Sequence, residues 1–80
     1  MSVTMLSPNQ LMEEGTLHAS LHHPVGSHDY HMELIHYFVL RVDHTCAEQI
    51  CRLMVVLYKL PVTDEQISLI VDHVRTTTNA

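Results

Sequence analysis

The sequence predicts an all-α fold. It reads as a single helical domain over 1–80, a small bundle of three to four helices whose central helix hairpin (about 28–42 and 46–59) packs in a homodimer. Three observations carry this expectation. Helix start signals recur at regular intervals, no segment alternates with the period of two that a half-buried strand needs, and two of the helical stretches are apolar over too much of their circumference for a lone small domain.

The first helix is marked by "SPNQ" at 7–10. Ser7 serves as N-cap, Pro8 occupies the first helical position and Gln10 closes a capping box. Leu11, Met12, Gly15 and Ala19 form a weak apolar side that runs to about Leu21, and Gly15 costs the helix about 1 kcal/mol relative to Ala. "HHPVGS" at 22–27 breaks the chain, because Pro24 disfavours a helical His23 and Gly26 permits a turn. Ser27 then caps a second helix that runs to about Val42, with Asp29 in its favourable first turn. "DHTCAE" at 43–48 offers a second capping box, Thr45 with Glu48, for a helix over about 46–59 that Pro61 ends. "TDEQ" at 63–66 offers a third, Thr63 with Gln66, opening a helix that fades in "RTTTNA".

The fourth helix has an ordinary single stripe of Ile67, Ile70, Val71 and Val74, opposite Asp64, Ser68, Asp72 and Arg75. The third keeps only a narrow polar strip of Glu48, Arg52 and Lys59, with Gln49 at its edge. In the second, an arc of roughly 220° runs from Tyr37 and Tyr30 through Leu34, Phe38, Val42, Ile35, Val39 and Met32, where a surface helix shows a stripe of ~100°. Asp29, Glu33, His36 and Asp43 share the remainder. An 80-residue chain has room to enclose one such helix, not two. A two-fold copy is the simplest cover, which makes Leu34, Ile35, Phe38, Val39, Val42, Leu53, Val56, Leu57 and Leu60 the expected interface. Arg41, beside the apolar arc, is expected to lay its stem on that surface and reach a carboxylate of a partner chain.

Composition excludes several function classes. Net charge is −5, residues 1–33 hold no Lys or Arg, and Arg41, Arg52, Lys59 and Arg75 are scattered, so no basic face is offered to phosphates or an anionic membrane. No stretch approaches the ~20 apolar residues of a membrane span, and the start lacks the basic and apolar regions of a signal peptide. A cytoplasmic location is expected. Cys46 and Cys51 match no zinc motif, cannot bridge within one helix, and read as two small buried hydrophobes in a reducing compartment. Asp43, His44 and Cys46 stand together at a helix start, yet catalytic partners meet in space rather than as sequence neighbours, so the chain is not expected to be an enzyme. No cofactor motif is present. A helix-turn-helix of the last two helices is the DNA-binding alternative, weakened by the acidic start of its reading helix.

The eight histidines are the strongest compositional signal, seven of them between 18 and 44. His18 and His22 are four apart on one helix, the separation that lets two imidazoles share an ion, but no fixed third ligand follows in sequence. His28 and His31 are three apart in the next helix. A His-rich metal-binding protein is therefore a further alternative, with these four as its candidates. His31 falls on the apolar arc and is the candidate pH sensor of an interface.

One resemblance adds to this reading. Residues 34–57, "LIHYFVLRVDHTCAEQICRLMVVL", resemble the helix hairpin of the YmgB/AriR family of small enterobacterial biofilm and acid-resistance regulators. The matching positions are Leu34, Ile35, His36, Asp43, Ala47, Ile50 and Leu57, and "LMEE" at 11–14 is similar to a stretch near that family's first helix. The first connection is shorter here and the helix after Pro61 extends past the family's usual end. The resemblance implies an all-helical dimer without catalysis, a regulatory or adaptor protein that acts on an unidentified protein partner and connects to two-component signalling.

Overall fold

The computed structural model describes residues 7–43 and 45–78, and His44 lies outside them. It is an all-α bundle of α1 (Pro8–His22), α2 (His28–Arg41), α3 (Ala47–Tyr58) and α4 (Asp64–Thr78). The helix starts show which local signals survive tertiary context. At α1 the Ser7 hydroxyl accepts from the Gln10 N–H at 3.2 Å, and the Gln10 side chain accepts from the Ser7 N–H at 3.1 Å. Thr63 and Gln66 make the same reciprocal pair at α4, at 3.2 and 2.9 Å. The second box, Thr45 with Glu48, does not form. Asp43 captures both the backbone N–H and the hydroxyl of Thr45, at 3.0 and 2.9 Å, and α3 starts from Cys46 with no side-chain cap. Glu48 is instead taken by Arg52 at 2.6 Å and by the Ser68 hydroxyl at 3.2 Å, which joins α3 to α4.

α3 ends where Lys59 turns left-handed, at φ 53° and ψ 50°. The Leu60 N–H then donates to the Val55 carbonyl at 3.0 Å, closing the helix with a Schellman-type bond before Pro61. α4 does not fade in its threonine run. Thr76 and Thr77 donate their hydroxyls to the carbonyls of Asp72 and His73, and the helix continues to Thr78.

The core is organised around α2, which packs most extensively on α1, then on α4, and also on α3, while α3 packs on α4. The α2–α3 hairpin contact exists but is not the main one. Leu34, Ile35, Phe38 and Val39 are fully buried, against Leu11 and Ala19 of α1 and Ile67, Val71 and Val74 of α4. Gly15 lets α1 approach this closely: a Cβ there would stand 2.7 Å from Leu34 Cδ1. The residue that weakens α1 as a helix thus permits its packing. The Tyr58 hydroxyl donates to Asn9 and ties the end of α3 to the start of α1.

This burial corrects the expected interface. Leu34, Ile35, Phe38 and Val39 have no surface left for a partner, because α1 and α4 enclose α2 more completely than their composition suggests. Arg41 also finds its carboxylate within the chain: Nη2 lies 3.4 Å from Glu14 Oε1, and the guanidinium carbon sits 5.7 Å from the Tyr37 ring centre.

Candidate functional site

Outside the core, the described residues include an apolar face on α3 and a polar cluster where α1 meets α2, besides exposed Leu17, Leu21, Val25, Leu40 and Leu69.

α3 buries Ala47, Cys51 and Met54. Its opposite side shows Leu53, Val56 and Leu57 at 56, 75 and 54% exposure, a run at spacings of three and four that Leu60, half-buried, extends. Of the expected interface residues, these four and the half-buried Val42 keep surface available. The helix has two apolar sides, and the bundle uses one of them.

Cys51 is fully buried and Cys46 is exposed, so only one of the two follows the expected pattern. Burial, and after it the Glu48 carboxylate, pushes the Cys51 thiol from 9.0 to about 12, which keeps it protonated and unreactive. Tyr37 is also raised, first by burial and then by the hydrogen bond its hydroxyl donates to Glu14 at 2.9 Å. Cys46 and Asp43 lie exposed at the start of α3, and the third residue of that weighed catalytic grouping, His44, is outside the described residues.

The second region is built by the last two turns of α1 and the middle of α2. His18 and His22 stack down one side of α1, their ring centres 4.8 Å apart with the planes inclined at 67°. α2 brings Glu33 to meet them, and His18 Nε2 stands 2.9 Å from Glu33 Oε2. His23 approaches the other carboxylate oxygen, with Nε2 at 3.8 Å from Oε1. The backbone leaves the helix at His23, whose N–H bonds back to the Ala19 carbonyl at 3.0 Å, and Pro24 follows. Beside the cluster a shallow open groove of about 280 Å³ is lined by His23, Asp29, Met32, Glu33, His36 and Ile70.

Of the four histidines marked as metal candidates, the structure brings His18 and His22 together and leaves His28 and His31 apart. His28 is exposed at the start of α2. His31 is half-buried, with Nδ1 at 2.9 Å from the Ser27 carbonyl and its ring edge-on to Tyr30. Sequence reasoning missed Glu33 as a partner of His18 and His22, because only the packing of α1 on α2 supplies it.

No described helix is long and apolar enough to cross a membrane. Searches of protein-family models, of curated proteins and of solved structures find no match to this chain.

Proposed function

We propose that this protein is a small non-catalytic regulator or adaptor that works by protein contact and pairs with a second copy of itself through the outer face of α3. The observation that carries this reading is the exposed run of Leu53, Val56 and Leu57 on a helix whose other side is already buried in the core. Each of these side chains returns roughly 1 kcal/mol or more when its remaining apolar surface leaves water. A two-fold axis doubles that gain, and the sum still has to exceed the cost of association. The pairing is accordingly a modest, concentration-dependent one, suited to an adaptor that exchanges partners.

The likeness of residues 34–57 to the YmgB/AriR regulators supports a connector role in bacterial stress, biofilm or two-component signalling, on the cytoplasmic side. A DNA-reading role for α3 and α4 has less support. α4 opens with Asp64 and Glu65, and Arg52 is held between Glu48 at 2.6 Å and Asp64 at 3.7 Å.

Sedimentation equilibrium over micromolar to roughly hundred-micromolar concentration tests the pairing. The expected result is reversible dimerisation that Val56→Lys abolishes with its helical circular dichroism unchanged. A 9.2 kDa monomer at every concentration would refute it.

A further inference from the structure

We propose that His18, His22 and Glu33 form a binding site for one divalent first-row transition-metal ion, with zinc as its representative. The ligand atoms of the three residues already lie within 4.8 Å of one another. Around a tetrahedral ion with bonds of about 2.0–2.1 Å, neighbouring ligand atoms are separated by roughly 3.3 Å. His18 and Glu33 are at 2.9 Å and need to open slightly. His22, exposed at the end of α1, has the freedom to close the remaining distance by rotating its side chain.

The chemistry of the donors selects the class of ion. Two imidazole nitrogens and one carboxylate oxygen suit zinc and its neighbours, whereas magnesium and calcium take oxygen ligands throughout. His23, at 3.8 Å from the second carboxylate oxygen, steadies Glu33 from the side away from His18. Three protein ligands leave one position open to water or to a donor from another molecule. The ion would also replace the His18–Glu33 hydrogen bond by a link that fastens the end of α1 to the middle of α2. This site does not depend on the α3 pairing, and its residues lie on other helices.

The test is zinc titration by calorimetry of the full chain, expressed without a polyhistidine tag and freed of metal. Thermal unfolding is measured with and without zinc, and circular dichroism confirms that each variant folds. The wild type is expected to bind one zinc ion per chain and to unfold at higher temperature when it is present. His22→Ala and Glu33→Gln are each expected to weaken binding at least tenfold and to remove the thermal shift, while His28→Ala and His31→Ala leave both unchanged. Absence of stoichiometric binding by the wild type would overturn the proposal. So would binding that survives both His22→Ala and Glu33→Gln, or that His28→Ala or His31→Ala weakens equally.

Discussion

Gly15→Ala puts the packing of α1 on α2 to a direct test, because two physical effects of known size oppose each other there. Helix propensity favours the change by about 1 kcal/mol, since alanine loses less backbone freedom on folding. Packing opposes it. The added methyl would stand 2.7 Å from Leu34 Cδ1, 3.0 Å from Phe38 Cε1 and 3.3 Å from Tyr37 Cδ2. Leu34 and Phe38 are fully buried, so neither can swing outward, and Tyr37 is tethered through its hydroxyl to Glu14. Overpacking of this kind costs ~1–3 kcal/mol. The expected outcome is a net loss of about 1 kcal/mol, which lowers the melting temperature of a domain this size by roughly 4–8 °C.

Urea unfolding followed by circular dichroism measures the difference. A second variant isolates the cause: Leu34→Val ends one carbon short of Cδ1, and in that background Gly15→Ala should cost less than it does alone. If Gly15→Ala instead raises stability by the full propensity increment, the close approach of the two helices at Gly15 is refuted.

Other predictions follow from single contacts. Lys59→Gly should stabilise the protein by roughly 0.5–1 kcal/mol in thermal unfolding, because φ 53° strains a residue with a Cβ and suits glycine. Thr63→Ala removes an acceptor from the N-terminus of α4 and should cost about 1 kcal/mol by urea unfolding. The Cys51 thiol, raised in the folded chain from 9.0 to about 12, stays protonated there while the unfolded chain ionises. Its contribution is therefore intact below pH 9 and is lost as pH rises from 9 towards 12, by ~1.4 kcal/mol per pH unit in that window. Tyr37 adds a slope of the same sign above pH 10. Unfolding free energy measured against pH should fall over this range, less steeply in Cys51→Ala, and a thiol reagent at neutral pH should label Cys46 alone until the chain is unfolded.

Features decided within a few residues were legible in the sequence. Ser7 with Gln10 and Thr63 with Gln66 cap their helices because, among the described residues, no neighbour takes those side chains. Thr45 with Glu48 has the same local pattern and fails because Asp43 takes one partner and Arg52 and Ser68 take the other. The fourfold spacing of His18 and His22 was likewise visible, but Glu33 becomes their neighbour only through a crossing of helices that local periodicity does not encode. The extent of apolar surface on α2 was read correctly and its destination was not. The sequence shows how much surface must be covered, whereas the packing of α1 on Gly15 decides that the cover comes from within the chain.

α3 poses the same question. Its buried side carries Ala47, Cys51 and Met54, and its outer side carries Leu53, Val56 and Leu57. A helix that only had to complete this bundle would place its larger aliphatic residues inward and polar ones outward. Here Ala47, Cys51 and Met54 seat the helix in the core, with Ile50, Val55 and Tyr58 packed against it, while Leu53, Val56 and Leu57 face away. The two explanations of that arrangement differ in what Leu53→Gln, Val56→Gln and Leu57→Gln together would do. If the outer face serves contact with another chain, the triple variant should unfold within about 0.5 kcal/mol of the wild type at concentrations where both are monomeric, as surface changes do. Its self-association should be lost. A loss of several kcal/mol in the monomer would instead mean that the chain itself covers these residues in solution, and the contact surface would have to be sought elsewhere.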